Sequence, residues 1–197
     1  MTAARQAFTR ESADARRADL IEATAAVLAE HGLAGTSVRA ICAQAGVSPG
    51  LLRHYFEGID DLVAATYQAT SDRMDAIFAG AVEAAGADPR ARLSAYLTAS
   101  FRAPVTDPEL LGAWTAFWAL ARSDARMAAI HATSYAGYRA RLGELLVACG
   151  ARDPDRLAIM LTAMVDGLWL ELSLDAASFG ADAAAQIVER ALAALLP

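Results

Sequence analysis

Apolar side chains recur at helical spacing along nearly the whole chain of 197 residues, and this periodicity constrains the fold more than any other feature. Residues three and four positions apart share one face of a helix, whereas a half-buried strand alternates apolar and polar residues. Alanine and leucine, both strong helix formers, dominate, and runs of β-branched residues are scarce. The chain is therefore predicted to be all-α.

Glycine and proline breaks divide this pattern into about nine helices. The first three, short or medium in length, predict a small head, and the longer ones that follow predict a helical body. The fourth helix, over about residues 60–85, is long enough to join the two. We therefore expect one domain over residues 1–59 and a second over 60–197.

Charge is unevenly distributed along the chain. Up to Phe56 there are six arginines against five acidic residues, whereas the remainder holds eleven arginines against eighteen acidic residues, and the net charge is -6. Lysine is absent. The concentration of basic residues at the N-terminus favours an anionic partner for the head and not for the body.

Neither a targeting segment nor a metal site is predicted. Residues 1–17 are polar and carry four arginines, unlike a signal peptide, so we expect a cytoplasmic protein. The most apolar stretch, 157–174, carries two carboxylates and is judged too short and too charged to span a membrane. Cys42 and Cys149 stand far apart without a C-x-x-C pair, so no disulfide, metal or cofactor is expected.

Residues 37–56 have the local signals of two short helices joined by a tight turn. Ser37 can cap the first helix, Gly46 permits the turn, and Ser48 can cap a second helix that begins at Pro49. This is the outline of a helix-turn-helix, although a helical hairpin with no DNA role has the same outline.

The sequence of this segment, and in particular Ala45-Gly46-Val47-Ser48 followed by His54-Tyr55-Phe56, resembles the TetR family of bacterial repressors. The resemblance extends from Arg17 to about Leu62. It implies that the head binds DNA, and that the body binds a small effector and forms a dimer.

The resemblance also implies a set of DNA contacts. Hydroxyls and N–H groups at helix starts can bind phosphates, and a guanidinium in the major groove can bind guanine through two hydrogen bonds. We expect Arg39 and Arg53 to read bases, His54 and Tyr55 to contact phosphates, and Phe56 to pack in the head. The expected DNA-binding residues are Arg17, Ser37, Arg39, Ser48, Pro49, Gly50, Arg53, His54 and Tyr55.

Two positions depart from the family pattern. The position of Arg53 is often aromatic in the family, so the base that it reads is expected to differ. A lysine that usually contacts phosphate at the start of the fourth helix is Ile59 here. Four arginines of an N-terminal arm are expected to supply part of the positive charge that is lost with this lysine, although a solvated tail is equally compatible with the first two. These arginines are Arg5, Arg10, Arg16 and Arg17.

In the body, the segments 113–119 and 164–171 resemble the C-terminal domain of the choline-responsive repressors of betaine synthesis, a branch of the same family. A quaternary ammonium is recognised by aromatic faces, often beside a carboxylate. A choline-like or other apolar, cationic effector is therefore expected, although aromatic residues at helical spacing are also typical of a core. The expected effector-binding residues are Trp114, Phe117, Trp118, His131, Tyr135, Asp166 and Trp169.

The last two helices, over about residues 154–175 and 180–196, are expected to form a four-helix dimer interface with a second copy of the chain. Their apolar stripes are expected to be Leu157, Leu161, Met164, Leu168 and Leu172 on one helix and Ile187, Val188, Ala191, Leu192 and Leu195 on the other. Asp166 and Trp169 could then belong to this interface instead of the effector pocket.

The function predicted from these patterns is that of a ligand-released repressor bound to a palindromic operator. A small helical enzyme is the first alternative, but the three histidines are isolated and no catalytic or metal-binding spacing accompanies them. A helical protein-interaction module that binds DNA only weakly is the second, and the loss of the family lysine at Ile59 leaves room for it.

Overall fold

The computed structural model describes residues 2–175 and 177–196, with side chains from Ala13 onward. The described residues contain helices and no strand, which confirms the all-α prediction. Within them the elements are α1 (Thr2–Gly35), α2 (Val38–Ala45), α3 (Pro49–Tyr55), α4 (Ile59–Ala84), α5 (Pro89–Thr98), a short 3₁₀ turn (Ala99–Phe101), α6 (Pro108–Ala121), α7 (Ala125–Ala148), α8 (Pro154–Leu174) and α9 (Ala181–Leu195).

The predicted helix boundaries hold to within about one residue for α4, α8 and α9. The first helix is longer than predicted, because α1 begins at Thr2 and includes the segment expected to form an arm. Alanine, arginine and glutamate in that segment are all good helix formers. The regular part of α1 ends at Gly32, which has a positive φ of 60°, a conformation that glycine adopts easily at a helix C-terminus.

The chain forms two compact units. Unit 1 consists of Met1–Thr70 and Gly112–Ile130, and unit 2 of Ser71–Leu111 and His131–Pro197. The helices α4 and α7 each contribute residues to both units. This division reflects packing, whereas the division into residues 1–59 and 60–197 concerns function and stays a prediction.

In unit 1 a single apolar cluster holds α1, α2 and α3 together. Its buried members are Leu20, Ala23, Val27, Ile41, Cys42, Leu52, Phe56 and Leu62. Helix α6 approaches the end of α1 so closely that a Cβ at Gly112 would lie 2.8 Å from the Ala29 carbonyl oxygen. Glycine is therefore required at this crossing, because no real Cβ is found so near a backbone oxygen.

In unit 2, helices α5, α8 and α9 each bury one apolar face. The buried positions of α8 and α9 follow each other at intervals of three and four residues, as expected for one face of a helix. They are Ala158, Leu161, Thr162, Val165, Trp169 and Leu172 on α8 and Ala184, Val188 and Leu192 on α9. A hydrogen bond from the Ser94 hydroxyl to Glu189 joins α5 to α9.

Helix α8 is unusually apolar. Among the described residues it is the one helix that is long and apolar enough to cross a membrane, with a mean hydropathy of 1.6. The argument that this stretch is too short is therefore wrong, since the helix has 21 residues. The core helix of a water-soluble protein meets the same criterion, and α8 contains the charged residues Asp155, Arg156, Asp166 and Glu171.

Candidate DNA-binding and effector sites

The two short helices of the head begin at the predicted caps. The Ser37 hydroxyl accepts a hydrogen bond of 3.2 Å from the Ala40 N–H, and the Ser48 hydroxyl accepts one of 3.3 Å from the Leu51 N–H. Between the helices, Gly46 has a φ of 64°, a left-handed conformation that other residues adopt only with strain. These local interactions set the turn between α2 and α3.

Most of the expected DNA-binding side chains point into solvent. Tyr55 is half-buried, and its ring contacts the His54 ring edge-on at 5.1 Å. The exposed members are Arg17, Ser37, Arg39, Ser48, Pro49, Gly50, Arg53 and His54. This surface presents hydroxyls at two helix starts together with three guanidinium groups, a combination that suits a phosphate backbone and base edges.

Arg17 has a contact that the sequence did not predict. Its guanidinium lies 4.9 Å from the centre of the Phe56 ring, in a cation–π arrangement. Phe56 itself is 3% exposed, which confirms its predicted place in the core of the head. The arginines at positions 5 and 10 lie outside the residues whose side chains are described.

The start of α4 differs from the pattern expected of the family. Ile59, in place of the usual lysine, is half-buried and lines a cavity of about 230 Å³ together with Leu33, Val63, Leu120 and Met127. Asp61 forms an ion pair of 2.8 Å with Arg126 of α7. The hydrogen bond from Arg126 is the main reason that the pKa of Asp61 is lower than usual.

Two of the expected effector residues lie in an aromatic cluster of unit 1. Tyr67 stacks on Phe117 with ring centres 4.4 Å apart, and Trp114 meets Tyr67 edge-on at 5.6 Å. Tyr67 and Phe117 are fully buried, and Trp114 is 9% exposed. Trp118, one position further along α6, is half-buried. The contacts of Trp114 and Phe117 are those of core residues.

Three other expected effector residues come together in unit 2. The Tyr135 hydroxyl donates a hydrogen bond of 3.1 Å to Asp166, and the His131 ring lies 4.1 Å from the Tyr135 ring. The Arg139 guanidinium lies 5.6 Å from the centre of the Tyr135 ring. Burial raises the pKa of Asp166 to about 6, although Tyr135 and Arg139 both act to lower it. Burial also lowers the pKa of His131, and the charge of Arg139 adds to this effect.

A second aromatic cluster lies in the same unit. Tyr96 and Tyr138 stack with ring centres 5.0 Å apart, and Phe78 meets Tyr96 at 5.5 Å and Tyr138 at 5.6 Å. Burial raises the pKa of Tyr138, and the neighbouring Tyr96 and Asp166 raise it further. The charge of Asp166 thus acts on Tyr138, whereas Asp75, Arg141 and Glu144 act on Tyr96, and the two phenols stay protonated at neutral pH.

Of the residues in these two groups, the sequence prediction named His131, Tyr135 and Asp166 but not Phe78, Tyr96 and Tyr138, and an effector contact for them stays a prediction. One signal was available, because Tyr135 and Tyr138 stand three residues apart on α7 and therefore share a face. Trp169, also expected at the effector site, is 4% exposed on the buried face of α8. In the described part of the chain no group of three or more histidine, cysteine or acidic residues is arranged to hold a metal ion.

Two capped helices around a glycine turn, followed by a larger helical body, define a helix-turn-helix regulator of transcription. Residues 20–66 match the family described as bacterial regulatory proteins, tetR family. Residues 89–197 match the family described as BetI-type transcriptional repressor, C-terminal. The chain belongs to the TetR family of transcriptional regulators, with a BetI-type C-terminal domain.

Similar proteins agree with this assignment. The chain is 34% identical over 181 residues to the HTH-type transcriptional regulator BetI of Paraburkholderia xenovorans, covering 86% of this chain and 87% of that protein. A transcriptional regulator from Pseudomonas aeruginosa PAO1 is 43% identical, with a TM-score of 0.82 over 92% of this chain and 90% of that one. A regulator from Saccharomonospora viridis in complex with choline has a TM-score of 0.83 at 16% identity, over 91% and 96% of the two chains, and shares the fold.

Proposed function

We propose that the chain is a cytoplasmic homodimer that represses transcription from a palindromic operator and leaves the operator when a small organic cation, such as choline, binds its body. Family membership supports the DNA-binding and regulatory parts of this proposal. The relatives are named as regulators, and we propose no catalytic activity.

The operator contacts that we propose are the nine DNA-binding residues expected from the sequence. Arg39 and Arg53 are the candidates for base recognition, because a guanidinium can bind the O6 and N7 atoms of guanine together. The remaining residues would position the head on the phosphate backbone. Arg17, held above Phe56, would supply part of the charge that is lost with Ile59 in place of lysine.

The observation that carries the effector proposal is the largely buried carboxylate of Asp166 beside aromatic rings. A buried carboxylate costs free energy unless a partner compensates it, and a cation is the ligand that it favours. Tyr135 donates a hydrogen bond to this carboxylate, the His131 ring packs on Tyr135, and Tyr138 interacts electrostatically with Asp166. A quaternary ammonium suits such a site, since it binds aromatic faces and donates no hydrogen bond. The choline in the regulator from Saccharomonospora viridis supports the same ligand class.

We therefore propose His131, Tyr135 and Asp166 as effector-binding residues, with Tyr96 and Tyr138 added from the structure. For Trp114, Phe117, Trp118 and Trp169 an effector contact stays a prediction. Their burial is equally consistent with a purely structural role, and replacing Phe117 and Trp118 separates the two.

For the dimer, we propose a different face of α8 from the one expected. Leu161 and Leu172 are buried inside the chain and are not available to a partner, and the same is true of Val188 and Leu192 on α9. The large apolar side chains of α8 and α9 that remain exposed are Ile159, Met160, Leu170, Leu174, Ile187 and Leu195. With Ala163 and Gly167 between them, the exposed positions of α8 allow a close helix approach. A Leu170→Glu variant should therefore shift the mass in sedimentation towards the monomer.

The interaction-module alternative is not favoured, because two family models and the named relatives agree on a transcriptional regulator. The experiment that tests the proposal is selection of binding sites from a genomic DNA library at physiological salt, with and without choline chloride. A palindromic site whose recovery falls with choline is the expected result. Recovery that choline does not change would overturn the choline-like effector, and no enrichment of any site would overturn operator recognition.

A further inference from the structure

Asp61, in the first turn of α4, makes two bonds at once. One oxygen of its carboxylate accepts the 2.8 Å hydrogen bond from Arg126 Nη2, and the other accepts a 3.3 Å hydrogen bond from the Glu57 N–H. Glu57 lies two residues after the end of α3. Asp61 thus connects α7 to Glu57, in the segment between α3 and α4. We call α3 the recognition helix, because it carries Arg53, one of the residues proposed to read bases.

Asp61 also interacts electrostatically with Arg17, one of the proposed DNA contacts. The charge of Arg17 contributes to the low pKa of Asp61, after the larger effects of the Arg126 hydrogen bond and the Glu57 N–H. Arg17 in turn lies over Phe56, the residue that caps α3. A change in the charge balance at Asp61 would therefore act on Arg17 and on the α3–α4 segment together.

Arg126 stands in the first turn of α7, the continuous helix that also carries Tyr135, Tyr138 and Arg139. The helix that holds Asp61 in its first turn, α4, also carries Phe78. The ring of Phe78 contacts Tyr96 and Tyr138, so each of the two helices joined by the ion pair also carries residues in or beside the proposed effector site. A ligand that moved either helix would strain or break the pair.

We propose that the Asp61–Arg126 ion pair is the positioning contact through which α7 controls the segment that follows the recognition helix. This inference rests on the proposed effector response and adds the residues that transmit it. While the pair is intact, Arg126 neutralises Asp61 and Arg17 stays available for phosphate. When the pair opens, Asp61 competes with the DNA for Arg17, and the Glu57 N–H loses a fixed acceptor.

The ion pair between Asp61 and Arg126 is exposed, so it can be changed by mutation without unfolding the protein. The side chains of Arg126 and Asp61 are 57% and 31% exposed, and pairs this accessible contribute little to stability. Variants at these positions are therefore expected to remain folded. Their effects on DNA binding can then be separated from unfolding.

The test uses the full chain with Arg126→Gln, Arg126→Lys and the double variant Asp61→Asn with Arg126→Gln. Arg122→Gln is the matched control, because Arg122 is an exposed arginine in the turn just before α7 and its loss changes the net charge equally. Operator affinity is measured by fluorescence anisotropy with and without choline chloride. Hydrogen exchange of the Glu57 amide is measured in the absence of both DNA and choline.

Arg126→Gln should weaken operator binding about three- to tenfold. It should also reduce the effect of choline on operator affinity by a similar factor, because an effector typically changes the affinity for a second ligand by about 5–150-fold. Arg126→Lys and the double variant should recover part of the operator affinity, and Arg122→Gln should match the wild type. Exchange at Glu57 should accelerate in Arg126→Gln, whatever the effector is.

If Arg126→Gln binds the operator as tightly as the wild type does, and its Glu57 amide exchanges at the wild-type rate, the proposed link between α7 and the α3–α4 segment is overturned. Equal losses in Arg126→Gln and Arg122→Gln would also overturn it, because a general charge effect would then explain the data. If the wild type binds its operator but ignores choline, the effector proposal fails, and the exchange measurement still decides whether Arg126 fixes the α3–α4 segment.

Discussion

The two aromatic clusters resemble each other in composition but differ in their relation to charge. Tyr67, Trp114 and Phe117 in unit 1 pack on one another and are buried. In unit 2, Tyr138 stacks on Tyr96 and interacts electrostatically with a largely buried carboxylate, Asp166, whose pKa is raised. Aromatic residues alone are typical of a core, whereas a buried carboxylate beside them is costly and indicates a ligand site.

The largest expected effect concerns stability, and it tests the structural role of the unit 1 cluster. Phe117→Ala removes a fully buried ring that stacks on Tyr67, so it should reduce the free energy of unfolding by about 3–5 kcal/mol. Chemical denaturation followed by circular dichroism measures this change. Trp118→Ala is the neighbouring comparison: a loss of choline response in a stable Trp118→Ala dimer would extend the effector site to α6 and weaken the contrast between the clusters.

The next effect is a pH dependence that only the unit 2 cluster should show. Choline keeps its charge at every pH, so a change in its affinity must come from the protein. Since the pKa of Asp166 is raised to about 6, its charged form dominates above that pH, and affinity should fall about tenfold per pH unit well below it.

His131 also faces this group, and its protonation at low pH would add a repulsive charge in the same direction. The raised pKa of Tyr138 keeps its phenol neutral in this range. Isothermal titration of choline between pH 5 and about 8 therefore needs a His131→Gln control. An affinity that is flat over this range in both proteins would remove Asp166 from the site.

The smallest expected effect isolates one hydrogen bond. Tyr135→Phe keeps the ring but removes the hydroxyl that donates to Asp166, so the pKa of Asp166 should rise further. At pH 7 choline affinity should fall about two- to fivefold, and the midpoint of its pH dependence should move upwards. A midpoint that stays in place would show that Tyr135 does not tune Asp166.

The head could be predicted from the sequence in detail because its signals are local. Ser37, Gly46 and Ser48 each act within a few residues of their own positions, and all three adopt the predicted conformations. Propensity and periodicity also located α4, α8 and α9 to within about one residue. The resemblance to the TetR family, carried by the same segment, was confirmed by comparison with known proteins.

The body was less predictable because its contacts are not local. Helix α8 is apolar on more than one face, so periodicity could not tell whether Leu161 turns inward or towards a partner. Tyr96, Tyr138 and Asp166 come from three different helices, and Asp61 and Arg126 stand 65 residues apart in sequence. Such pairings depend on how helices pack, which the pattern of any single helix does not contain.

The proposed binding of a cation at Asp166 is decided by titration calorimetry of choline into the wild type and Asp166→Asn at pH 7.5. Asparagine keeps the shape and an acceptor for Tyr135 but removes the charge, so choline affinity should fall by about tenfold or more, or about 1.4 kcal/mol, while operator binding persists. Equal choline affinities in the two proteins would show that the charge of Asp166 does not bind the cation.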